Sequence, residues 1–299
     1  MPNHGRASER VAVLALLVVT AIWGSTFFLI KDVVTRIPVA DLLAVRFALA
    51  SLALAAIVGP RLRLTRRILR QGCALGLLYG IAQILQTVGL AHTSASVSGF
   101  LTGLYVVATP LLTALILRAR ITAVTWAAVA LATVGLGVLS LHGLAVGYGE
   151  LLTVVSAVVY AGHIVVLGQV SAPGTVLSLS LVQMTAITVV CGLVAVLPVS
   201  DAGLQLPGSG ADWLAVGYLG LVAGALTMAL QTAAQARIEP SRAAVIMAME
   251  PVWAAGFAVA VGGEAVTARM VVGGLAILSA MYLVELSPRQ NAPAQGPAG

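Results

Sequence analysis

Ten apolar segments follow one another along this chain with almost no charge inside them, each near the roughly 20 residues that a helix needs to cross a bilayer. That pattern fixes the solvent before any motif is considered. Of the 299 residues, 60% are hydrophobic and only 9% charged, with mean hydropathy +1.05, whereas a soluble chain carries about 25% charged residues. The sequence therefore predicts an all-α integral membrane protein. The spans fall near Val11–Ile30, Val39–Gly59, Gly72–Ala91, Val97–Leu117 and Val124–Leu141, then Gly149–Gly168, Thr175–Pro198, Asp212–Ala233, Ala243–Val261 and Arg269–Leu286.

The formal charge of +6 does not point to a nucleic acid, which requires basic residues gathered on a polar face. Instead it sets orientation. Lys and Arg near span ends are retained on the cytoplasmic side. An N-terminus inside puts Arg6, Arg10, Arg61, Arg63, Arg66, Arg67, Arg70, Arg118, Arg120, Arg237, Arg242 and Arg289 there, against Lys31, Arg36 and Arg269 opposite. This predicts an even number of crossings with both termini in the cytoplasm. The opening MPNHGRASERVAVLALLVV has the basic flank of a signal peptide, but its apolar run continues to Ile30 without a small-residue cleavage site, which reads as a retained first helix. Residues 287–299, rich in Pro, Gly and Gln, read as a disordered cytoplasmic tail. RLRLTRRILR reads as an amphipathic stretch resting on the anionic leaflet. Cys73 and Cys191 lie within apolar runs, so neither a disulfide framework nor a metal cluster is indicated, and no cofactor is expected.

The chain also repeats itself. At an offset of 145, Gln86-Thr87 falls on Gln231-Thr232 and Thr122-Ala123 on Thr267-Ala268; earlier helices align at 137, where Trp23 meets Tyr160 and Arg46 meets Gln183. The second copy has gained eight residues, most simply in DAGLQLPGSGAD. The two units span 11–141 and 149–286. A five-helix unit crosses an odd number of times, so the second copy is inserted upside down. Two inverted five-helix repeats place a site near the midplane and expose it alternately to each side. That topology, more than any motif, predicts secondary active transport of a small molecule.

Polar groups at mid-bilayer are costly and mark paths or partners. Glu250 is the one acid at that depth, and Pro251 follows it, removing a backbone donor. It reads either as a protonatable group lining the path or as a structural carboxyl bonded to a neighbouring helix. Arg46 reads as snorkelling to the headgroups or as a structural pair. His163 is a candidate proton relay or an interhelical bond. Gln83, Gln86, Gln183, Gln231 and Gln235 suit substrate contacts or helix packing, and packing is the plainer reading for most. Trp23, Tyr105, Tyr160 and Trp253 fall inside spans, where they would wall an apolar or aromatic pocket. Tyr79, Trp126, Trp213, Tyr218 and Tyr282 read as interfacial anchors. Gly76/Gly80, Gly99/Gly103 and Gly220/Gly224 have the spacing for close helix approach.

Several stretches carry a family resemblance: AIWGSTFFLIK, VADLLAVRFALA, SASVSGFLTGLYVVATPLL, GELLTVVSAVVYAGHIV and, most specifically, SRAAVIMAMEPVWAAGFAVAVGGEAVTARMVVGGLAIL with Glu250-Pro251 and Glu264. Over about Val11–Leu286 the chain resembles the EamA-type members of the drug/metabolite transporter superfamily. The resemblance implies a multi-pass carrier of the inner membrane, usually an exporter of amino acids, nucleobase-like metabolites or drug-like compounds. It implies a cavity lined mainly by the third, fourth, eighth and ninth helices, with the first and sixth contributing. Those helices hold Trp23, Gln83, Gln86, Tyr105, Tyr160, His163, Gln231 and Glu250 as substrate-binding candidates, with Glu250 the proton-coupling candidate. The first half departs from the pattern: Tyr105-Val106 stands where Glu250-Pro251 maps, and Ala119 where Glu264 maps.

Two other classes compete. An intramembrane protease or lipid-modifying transferase needs paired groups, and the chain has no HExxH, no GxSxG and no two aspartates within spans. A passive channel would betray itself by conductance without saturation.

Overall fold

The computed structural model describes residues 3–59, 62–117, 122–142, 145–196, 204–238 and 240–286. Arg61, Arg118, Ala119, Arg120, Asp201, Arg289 and the proposed tail lie outside them. Among the described residues the regular structure is helical except for a two-residue antiparallel ladder, in which Leu141–His142 pairs with Ala145–Val146 where the halves join.

Ten spans are present. The unbroken ones are the first (Asn3–Val33), second (Val39–Val58), third (Arg66–Ala91), fifth (Ala123–Ser140), sixth (Tyr148–Val170), seventh (Val176–Val196) and tenth (Ala268–Leu286). The fourth is divided into Ala95–Thr102 and Tyr105–Leu117, and the ninth into Pro240–Met247 and Glu250–Ala260. The eighth runs through Gly210–Gly217, a π-helical Tyr218–Leu226 and Thr227–Gln235. Seven of the ten, the first four and the sixth to eighth, are long and apolar enough to cross a membrane, while the fifth and tenth hold shorter apolar stretches at Trp126–Val138 and Ala268–Leu283. Outward faces carry Leu52, Ile57, Leu115, Val196 and Leu214, all exposed, an apolar surface of the kind that lipid covers.

Local chemistry explains the departures from a plain ten-rod reading. The third span starts at Arg66, earlier than the apolar run, because Thr65 caps it by accepting a hydrogen bond from the Ile68 amide at 3.1 Å. The ninth breaks because Met247 stands four residues before Pro251, which has no N–H to close that turn. The fourth breaks opposite it, at Gly103 and Leu104. A Cβ added at Gly99 would lie 2.5 Å from Ala254 Cβ, and one at Gly103 would lie 2.5 Å from Pro251 Cγ. Both broken helices thus meet at their breaks.

Helix packing is invariant when the halves are exchanged. The third span packs on the sixth and the eighth on the first; the fourth on the sixth and the ninth on the first; the third on the seventh and the eighth on the second. Second with seventh, fourth with ninth and fifth with tenth pair directly. Span starts also keep the repeat: the second and seventh begin at Val39 and Val176, the third and eighth at Arg66 and Gly210. The offset therefore steps up between them, in the connection containing DAGLQLPGSGAD. All three glycine pairs sit at crossings, Gly76 and Gly80 against the seventh span at Gln183, Ala186 and Val190, and Gly220 and Gly224 against the second at Arg46 and Ala50.

Candidate functional site

A cavity lies where the broken helices meet, with about 480 Å³ of space outside protein atoms, open solvent at its mouth included. Trp23, Gln83, Gln86, Tyr105, Tyr160, His163, Gln231 and Glu250 all line it, joined by Thr26, Phe27, Arg46, Tyr79, Thr102, Ile164 and Met247. Both halves contribute. Positions related by the repeat face each other: Tyr105 and Glu250, separated by 145 residues, are hydrogen-bonded.

Glu250 is buried at the first position after the break in the ninth span. The Tyr105 hydroxyl lies 2.8 Å from the Met247 carbonyl and 3.0 Å from Glu250 Oε2. This is a direct consequence of Pro251: the carbonyl that lost its helical donor takes one from the other half of the molecule. The hydroxyl has a single proton. When it donates to Met247, its contact with Glu250 is a hydrogen bond only if the proton of that bond comes from the carboxyl.

One side of the cavity is a closed polar network. Gln83 Nε2 donates to Gln86 Oε1 at 3.1 Å and to the Tyr160 hydroxyl, Tyr160 donates to Gln86 Oε1 at 3.0 Å, and Gln86 Nε2 donates to Thr102 Oγ1 at 2.9 Å. Spacing of three residues puts Gln83 and Gln86 on one helical face. Trp23 is fixed through its Nε1, which donates to Thr227 Oγ1 at 3.0 Å and the Ala223 carbonyl at 3.2 Å. Ala223 belongs to the π segment, whose altered register leaves carbonyls for such use. His163 donates through Nε2 to Gln183 Oε1 at 3.0 Å, leaving Nδ1 buried without a partner.

Some residues sit elsewhere than expected. Arg46 does not snorkel; it is 3% exposed and lines the cavity. The eighth span packs on the backbone at this residue: a Cβ added at Gly220 would lie 2.6 Å from the Arg46 carbonyl oxygen. Tyr79 is no interfacial anchor. It is buried mid-span, edge-on to Tyr160 at 5.3 Å and to His163 at 5.1 Å. Trp253 does not wall the pocket and stands 41% exposed, held off by the first span at Gly24, where a Cβ would lie 2.8 Å from the Ala254 amide nitrogen. Gln183 and Gln235 bond within the bundle, to His163 and, at 3.4 Å, to the Ile164 carbonyl. Thr26, Phe27 and Met247 carried no signal in the sequence beyond their neighbours' depth.

At one end of the bundle, polar ties join the halves. Arg36 bonds Asp32 at 2.7 Å and Asp212 at 2.9 Å; these hydrogen bonds, to Asp32 and then Asp212, hold its guanidinium further into the charged form. Thr93 Oγ1 donates to Glu150 Oε1 at 2.8 Å. Glu264 accepts from the amides of Ala95 at 2.6 Å and Ser96 at 3.2 Å and from the Ser96 hydroxyl, so it caps the fourth span. Gly263 makes that reach possible: its φ of 72° and the bond from the Glu264 amide to the Ala258 carbonyl at 3.0 Å form a left-handed helix end that turns the chain back. Lys31 caps the preceding helix, donating to the Leu90 and Ala91 carbonyls at 3.0 Å each.

Comparison with known proteins accords with this architecture. An uncharacterized transporter of Archaeoglobus fulgidus (strain ATCC 49558 / DSM 4304 / JCM 9628 / NBRC 100126 / VC-16) is 28% identical over 275 residues, covering 92% of this chain and 86% of the relative. A protein crystal structure superposes with a TM-score of 0.69 at 18% identity, covering 92% of this chain and 96% of the other, a likeness in fold. The sequence pattern of the EamA-like transporter family matches twice, over residues 10–141 and 147–286. The chain belongs to the EamA-like transporter family and is a multi-pass membrane transporter.

Proposed function

We propose that this transporter is a secondary active carrier of the cytoplasmic membrane that exports a small metabolite by alternating access, with the cavity between the halves as its substrate site. The observation that carries this reading is one polar, aromatic-walled cavity lined by both halves, in which the repeat-related Tyr105 and Glu250 are hydrogen-bonded. Rocking of one unit against the other around such a point moves the barrier and leaves the site in place. The units are residues 11–141 and 149–286, and both termini face the cytoplasm on the argument of basic residues. The ties at Arg36–Asp212, Thr93–Glu150 and Glu264–Ser96 then lie on the outer side and hold it shut, and they break when the site opens outward. Trp23, Gln83, Gln86, Tyr105, Tyr160, His163, Gln231 and Glu250 contact substrate. Glu250 exchanges a proton during the cycle, through the bond it shares with Tyr105. Export is the direction the family resemblance implies.

The test is flux. Purified protein in proteoliposomes, offered a broad metabolite panel under an imposed pH gradient, is expected to move at least one solute with saturation. Folded protein that moves none under any gradient would end this reading, as would unsaturable conductance.

A further inference from the structure

The cavity contains one feature that transport in general does not require. Arg46 is 3% exposed, and its Nε and Nη1 atoms are buried with no hydrogen-bond partner. Among the described residues, no ion pair reaches it. The Phe47 ring lies 4.7 Å from the guanidinium carbon. A guanidinium stays charged in proteins and presents only donors. Buried charges are paired, and an unpaired one is among the least tolerated groups in a protein interior.

The other unsatisfied atoms around the cavity are of opposite kind. Gln83 Oε1, Gln231 Oε1 and His163 Nδ1 are buried acceptors without donors. Trp23, Phe27, Tyr79, Tyr105 and Tyr160 give the wall its aromatic surface, beside the aliphatic Ile164 and Met247. A ligand complementary to this lining has an anionic head, a flat apolar body and at most a few N–H or O–H donors. A single fixed cation balances a single negative charge, whereas a dianion such as a phosphate monoester would leave an excess charge beside Glu250.

We infer that the cavity receives a small organic monocarboxylate, its carboxylate seated on Arg46 and its apolar body against the aromatic wall. This deepens the transport reading and rests on it only for the claim that the bound molecule is also the one carried. Charge-assisted hydrogen bonds are roughly twice as strong as neutral ones, so the carboxylate itself, and not merely size, governs affinity here.

Three probes of one shape separate the charge from the shape: phenylacetate, phenylacetamide and phenethylamine. Each is titrated into the purified full-length protein at neutral pH, with binding read from the shift in its thermal transition. Phenylacetate is expected to bind on the order of tenfold to a hundredfold tighter than the amide, and the amine not at all. Arg46→Gln removes that preference while leaving weak amide binding, and Arg46→Lys retains part of it. If the amide or amine binds as well as the acid, or if none of the three binds protein that still melts cooperatively, the inference is overturned. The wild-type series decides this even where a variant fails to fold. Transport is separable: Arg46-dependent binding of phenylacetate without phenylacetate flux in proteoliposomes would sink the transport reading and leave this one standing. Flux of other solutes without preference for the acid would do the reverse.

Discussion

Removal of one hydroxyl tests how the two broken helices hold the site together. Tyr105→Phe leaves the ring in place but deprives the Met247 carbonyl of its 2.8 Å donor and Glu250 Oε2 of its 3.0 Å partner. A buried polar group left unsatisfied costs roughly 1–3 kcal/mol. Glu250 faces the cavity, where water can enter, so its share is small and the carbonyl sets the cost at about 1–3 kcal/mol. The carbonyl is free only because Pro251 has no N–H. Pro251→Ala restores that donor, and in its background the same Tyr105→Phe change should cost about 1 kcal/mol or less, near the net worth of an ordinary hydrogen bond. A double-mutant cycle on unfolding midpoints in mixed micelles isolates the coupling, expected at on the order of 1 kcal/mol. Equal costs in the two backgrounds would refute the assignment of the hydroxyl as a substitute donor for the broken turn.

Other consequences are equally direct. Glu250→Gln should slow flux several-fold and flatten its dependence on pH, because the amide keeps the shape and a hydrogen bond but exchanges no proton; unchanged flux with an unchanged pH profile in proteoliposomes would remove Glu250 from coupling. Gly24→Ala should destabilise the fold by roughly 1–3 kcal/mol, since the new Cβ would press on Trp253 and sit 2.8 Å from the Ala254 nitrogen, whereas Gly256→Ala, with nothing within 4 Å, should be neutral or stabilising. Gly263→Val places a β-branched residue at φ 72°, and a loss of about 1–2 kcal/mol should appear in the same unfolding assay, together with the loss of the Glu264 cap.

The parts of the architecture that were legible in the sequence are those set by repetition and hydropathy. Ten spans follow from run length alone, and the alignment of Gln86 with Gln231 and of Tyr105 with Glu250 already marks residues that the fold brings around one cavity. The breaks were half legible: Pro251 announced a weak turn, but its consequence for Met247 needed the partner helix. Arg46 departs from its reading because linear depth along a span does not say which way a side chain points, and Tyr79 because the third span begins at Arg66, ahead of its apolar run, which puts Tyr79 at mid-span. The π segment, which packs against the first and second spans, has no signature in the local composition.

On the proposed alternating-access cycle, unequal halves make the two access states unequal in energy, and the chemistry of each tie identifies which one matters. The Arg36–Asp212 bridge is solvated, with the Arg36 side chain 45% exposed, and solvent screens such pairs; breaking it with Asp212→Asn should shift the balance of states little. Glu264 is different. It gives a carboxylate to two amides and a hydroxyl at a helix N-terminus, where charge-assisted bonds count for roughly 1.5–3 kcal/mol each and the helix dipole adds about 0.3–1 kcal/mol. Even with most of that recovered by water after opening, Glu264→Ala should weaken closure by about 2 kcal/mol, near thirtyfold. A cysteine at Thr26, which lines the cavity, reports opening when Cys73 and Cys191 are replaced and an impermeant thiol reagent is applied from the side where residues 31–36 emerge. Labelling should accelerate far more in Glu264→Ala than in Asp212→Asn. Equal rates would mean that the cap stabilises the fourth span in both states alike, and the end where Glu264 sits would then be no gate.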